Sequence, residues 1–65
     1  MEFAKNLRRI RKFRKFTQQK LAAKSGICLA TIRMYEQGKS EPSLSKLMWL
    51  AESLDTTVSV LIGEV

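Results

Sequence analysis

The side chains of this 65-residue chain that can do chemistry are mostly cations. Twelve Lys and Arg stand against six Asp and Glu, giving a net charge of +6. Their distribution says more than the total. Residues 1–24 hold nine bases (Lys5, Arg8, Arg9, Arg11, Lys12, Arg14, Lys15, Lys20, Lys24) and one acid, Glu2. Residues 25–65 hold three bases (Arg33, Lys39, Lys46) and five acids (Glu36, Glu41, Glu52, Asp55, Glu64). So uneven a charge is the footprint expected of a protein that meets a polyanion near its N-terminal third. Covalent and metal chemistry are poorly supplied. There is no His, no paired-carboxylate constellation and a single Cys28. The chain is therefore expected to be no enzyme, to hold no metal or cofactor, and to form no intrachain disulfide. Cys28 reads as a small apolar filler, because no second thiol is present to resolve an oxidised sulfur.

Helical spacing dominates the elements that must carry these residues. Phe3, Leu7 and Ile10 fall on one face of a helix over about 2–14, with Lys5, Arg8, Arg9 and Lys12 opposite and Arg11 at the border. Thr17 is a good N-cap for a helix over about 18–24, in which Leu21 and Ala22 face inward. Lys20 opposes the dipole of that helix, a small cost that fits an approaching anion. Gly26 supplies the left-handed turn that ends it. A third helix over about 28–36 turns Ile32 and Tyr35 inward and stops at Gly38. Ser43 caps a fourth over about 44–54, carrying Leu44, Leu47, Met48, Leu50, Ala51 and Leu54. Thr57 caps a fifth over about 58–62, with Val58, Leu61 and Ile62 inward. Phe13 and Phe16 are assigned to core or hinge packing. The expectation is an all-α, five-helix fold forming one domain, 1–65.

The chain has no apolar run near the roughly 20 residues of a membrane span, and its N-terminus is charged where a signal peptide is apolar. A cytoplasmic protein is expected. A chain this short buries only about 60% of its unfolded surface, so it gains from a partner.

Two short helices joined at Gly26, over residues 17–39, make a helix-turn-helix pattern, which sets its second helix in the DNA major groove. The wider pattern is Leu7-Arg8-Arg9-Ile10-Arg11, Thr17-Gln18-Gln19, Leu21-Ala22, Ser25-Gly26-Ile27, Thr31-Ile32, Tyr35-Glu36-Gln37-Gly38-Lys39, Pro42-Ser43-Leu44, Leu47, Leu50-Ala51 and Leu61-Ile62-Gly63. It resembles the lambda repressor/Cro-like regulators, also called the xenobiotic-response-element family, over about 7–63. The resemblance implies a sequence-specific DNA-binding transcriptional regulator, a repressor of the phage or plasmid kind, that binds double-stranded DNA as a homodimer. It implies base contacts from positions 29, 30 and 34, phosphate contacts from Gln18 and Lys39, and a partly buried ion pair between Arg11 and Glu36. No small-molecule effector is implied. Lys15 and Asp55 stand where the family's helices usually end on Gly, and Cys28 stands where its third helix usually has a Ser or Thr cap.

The groove-facing positions leave choices open. Leu29, Ala30 and Met34 are apolar where polar readers are usual. They can touch thymine methyl groups, bind a partner protein, or lie beside a groove read by shape. Arg33 can reach a guanine or a phosphate. Thr17, Thr31 and the basic face of the first helix (Arg8, Arg9, Lys12) are candidate phosphate contacts. Trp49 and Val60 point outward near the chain's end, as a homodimer contact or, for Trp49, lying flat on its own domain. A protein-interaction module of the same fold, antitoxin-like in its partner binding, is the competing class. Membrane-surface binding is disfavoured because Phe3, Leu7 and Ile10 are needed in the core.

Overall fold

The computed structural model describes residues 2–64. Among them are five helices and no strand: α1 (Phe3–Phe13), α2 (Gln18–Ser25), α3 (Leu29–Glu36), α4 (Leu44–Ser53) and α5 (Val58–Ile62). Hydroxyl caps fix three of the starts. The side chains of Thr17, Ser43 and Thr57 accept from the backbone N–H of Lys20, Lys46 and Val60 at 3.0, 3.3 and 3.2 Å. Each satisfies one of the donors a helix leaves unpaired at its first turn. Cys28 holds the corresponding position before α3 but makes no such bond, and the helix runs from Leu29.

Four of the five helices end alike. At α1, α3, α4 and α5 the N–H groups of two successive residues turn back onto the last turn, as Lys15 onto Lys12 and Phe16 onto Arg11. This Schellman closure needs one left-handed residue. Gly38 and Gly63 supply it at α3 and α5, while Lys15 (φ 62°) and Asp55 (φ 53°) supply it at α1 and α4. A side chain in that conformation costs about 1–2 kcal/mol. Lys15→Gly should therefore raise unfolding stability by about 0.5–1 kcal/mol after glycine's extra chain entropy is counted. Urea denaturation reads this directly, and an unchanged or lower midpoint would contradict it.

The six most deeply buried large side chains are Leu7, Leu21, Ile32, Leu50, Leu54 and Leu61, so every helix or its immediate end contributes to one core. Phe3 meets Tyr35 edge-on, ring centroids 5.6 Å apart. Burial pushes the Tyr35 hydroxyl above its ordinary pKa.

Two sequence expectations fail here: core or hinge packing for Phe13, and the role of apolar filler for Cys28, which is exposed. Phe13 is 76% exposed. Six residues past Leu7, it lies roughly 120° away around the helix, off the buried stripe. Phe16 does pack against the core, and the Lys20 and Lys24 ammonium groups lie 5.0 and 5.2 Å from its ring centroid. Leu44 and Met48 are also exposed, because α4 has more apolar residues than its neighbours cover.

Candidate nucleic-acid interface

The turn between α2 and α3 is built from its own residues. Gly26 is left-handed (φ 75°), and its N–H returns to the Ala22 carbonyl at 3.0 Å. The Ser25 hydroxyl accepts from the Ile27 N–H at 3.2 Å. Leu21 and Ile32, both fully buried, seat the two helices on the core.

Glu36 fixes the rotation of α3. Arg11 Nε donates to its Oε2 at 2.6 Å and Arg11 Nη2 to its Oε1 at 3.0 Å. Gln18 Nε2 donates to the same Oε1 at 3.1 Å. The side chains of Arg11 and Glu36 are only 10% and 5% exposed. Arg11 Nη1 also donates to the Phe16 carbonyl at 2.8 Å. One carboxylate thus ties α1, α2 and α3 together. An anion at the end of a helix opposes its dipole, and the bidentate guanidinium offsets that.

Held this way, α3 turns one face away from the core. Ala30, Arg33 and Met34 are exposed, with Leu29 and Thr31 half-buried. Gln37 lies just past the helix end and, at about 100° per residue, falls between Arg33 and Ala30 on that outward face. It was not among the expected contacts; carrying the helical period one residue beyond Glu36 would have found it. Lys39 follows, exposed, with its N–H on the Met34 carbonyl at 3.0 Å. Thr17 is exposed and Gln18 half-buried at the α2 start.

The basic face of α1 divides. Arg8 sits three residues before Arg11, on the side toward α3. Arg9 sits three residues after Asn6 and donates to its Oδ1 at 3.3 Å. Buried Asn6 in turn donates to the Leu61 and Val60 carbonyls at 3.1 and 3.5 Å, so this side faces α5. Lys12 lies between the two sides, exposed. Arg14 serves structure instead: its Nε and Nη2 donate to the Leu54 and Asp55 carbonyls at 2.8 and 2.9 Å, closing the end of α4. The roles of Asn6 and Arg14 escaped sequence reading because their partners lie 40 to 55 residues away. A polar residue on the apolar stripe of α1 was the one available signal for Asn6. Trp49 is 49% exposed and Val60 half-buried.

A sequence model of the helix-turn-helix family HTH_3 matches residues 7–61. The uncharacterized HTH-type transcriptional regulator YobD of Bacillus subtilis is 36% identical over 61 residues, 94% of this chain and 54% of that protein. The immunity repressor protein of Bacillus phage phi105 is 36% identical over 64 residues, 98% of this chain and 44% of that protein. The chain spans about half the length of the curated relatives it matches. The crystal structure of an HTH_3 family transcriptional regulator from Vibrio cholerae matches with a TM-score of 0.89 at 25% identity, over 97% of this chain and 35% of that one.

Proposed function

This chain belongs to the HTH_3 helix-turn-helix family, and from that premise we propose that it is a sequence-specific DNA-binding transcriptional regulator acting as a repressor. The observation that carries the reading is the outward face of α3, left clear while Glu36, Arg11 and Gln18 pin its inner side. In this reading α3 enters the major groove, with Leu29, Ala30, Arg33 and Met34 against base edges. Thr17, Gln18, Thr31, Lys39, Arg8 and Lys12 approach phosphates. Gln18 suits this because only one of its two amide hydrogens is engaged by Glu36. Arg9, turned toward α5, adds long-range attraction. Two copies, meeting through the region of Trp49 and Val60, present their α3 helices to half-sites about one helical turn apart, near 34 Å. The work is binding rather than catalysis, and its place is the cytoplasm. No helix among the described residues is long and apolar enough to cross a membrane.

Selection from a random DNA pool tests this. A recurrent half-site, enriched at physiological salt, is expected. Weak, salt-sensitive binding with no enriched sequence would overturn it in favour of a protein-binding module. Two substitutions separate positioning from reading. Lys12→Ala should weaken binding to all sequences alike and lower the salt slope by about 0.9, one phosphate's share. Arg33→Ala should instead change base preference at one position, costing about 1–3 kcal/mol there.

A further inference from the structure

We propose that α3 reads its half-site through the C5-methyl groups of thymine, using Leu29, Ala30 and Met34. The inference rests on the DNA-binding reading above and names what that face selects. These three side chains bring no hydrogen-bonding group to the groove. Guanine and adenine present N7 there, guanine adds O6, and adenine and cytosine offer amino groups; only thymine shows a methyl. Against an apolar side chain each polar edge loses water without gaining a partner, which disfavours the other three bases. Thymine alone offers a methyl to bury, at the edge of its pair, leaving O4 and the N6 and N7 of the paired adenine to be satisfied by water or neighbouring side chains. Selection therefore works twice, by gain at thymine and by loss elsewhere.

The placement fits a run of methyl groups rather than one. Leu29 and Ala30 open α3, and the first turn of a recognition helix is the part that approaches base edges. Met34 lies one turn beyond Ala30 on the same face, exposed to 39%. Four residues of helix advance about 6 Å, close to two base-pair steps of about 3.4 Å. The unbranched Met34 thioether adapts to a methyl on either strand. The apolar strip thus covers neighbouring thymines over two to three base pairs. Arg33 and Gln37, on the same outward face, are left for the flanking purines.

The experiment replaces each thymine of the selected half-site by deoxyuridine, which removes the methyl and nothing else. Kd is then measured for the chain and for its Leu29→Ala and Met34→Ala variants, with helix content checked by circular dichroism. At least two adjacent thymines should each weaken binding about fourfold when replaced, the effect of one buried methyl-sized group. That penalty should shrink toward onefold at one thymine in Leu29→Ala and at another in Met34→Ala. If the half-site is still preferred and no deoxyuridine changes Kd, the methyl reading is overturned while DNA recognition stands. If no half-site is selected at all, both readings fall together.

Discussion

Arg11→Ala should remove a large part of the chain's folding stability at 25 °C, about 3–5 kcal/mol. The substitution strands the Glu36 carboxylate, 5% exposed, without its guanidinium, and it strips the Phe16 carbonyl of its donor. Breaking a buried pair from one side costs about 3–5 kcal/mol, because an uncompensated charge remains inside. A chain of this size has only roughly 3–10 kcal/mol to lose, at about 0.05–0.15 kcal/mol per residue. Circular dichroism with a urea titration measures the outcome. The double variant Arg11→Met/Glu36→Leu separates charge from contact. With both charges gone it should be more stable than either single variant, though below the parent, since Gln18 and the Phe16 carbonyl lose their partners. A double variant no better than Arg11→Ala would mean that the loss is one of packing.

The second large effect is expected at Leu21. It is the one fully buried residue of α2, the helix that packs against both α3 and α4. Leu21→Ala should cost about 2–5 kcal/mol, at the upper end because the helix frame resists collapse into the cavity. Function should suffer beyond stability. Gln18 and Thr17 stand one turn before Leu21, so a loosened α2 misplaces the groups proposed to grip phosphate. Binding measured at low temperature, where the variant is still folded, should therefore weaken on every DNA sequence with base preference retained. A wild-type Kd in the folded variant would detach α2 from the interface.

The helices were legible in the sequence because apolar spacing and hydroxyl caps act locally. Thr17, Ser43 and Thr57 each announce a start. The starts differ from expectation by one residue only at α1 and α3, where Glu2 and Cys28 make no cap bond. The C-terminal bounds of α1, α2 and α4 each differ by one residue. Lys15 and Asp55 could be flagged as residues in glycine's place, and both are left-handed. Spacing could not say how wide a stripe would be covered. Leu44 and Met48 extend the apolar stripe of α4, yet both stay more than half exposed. Phe13 is as apolar as a core residue, but its angle around α1 sets it off the buried stripe. Long-range polar ties were the least legible. Arg14 looks like one more cation in a basic run, and only the folded chain shows it bonded to the end of α4. Charge counted along the sequence therefore overstates what is free for a polyanion, since Arg11 is buried against Glu36 and the exposed Arg14 already donates to the Leu54 and Asp55 carbonyls.

The carboxylate that ties three helices together has a consequence for how such a protein can change over generations. Everything that fixes α3 lies on its inner side, in Ile32, Tyr35 and Glu36. Positions 30, 33, 34 and 37 are exposed and make no side-chain hydrogen bond among the described residues. Surface substitutions of this kind usually shift stability by no more than about 0.5 kcal/mol. Descendants can therefore exchange these positions one at a time, each remaining folded, so that a lineage could move from one DNA address to another without passing through a misfolded ancestor.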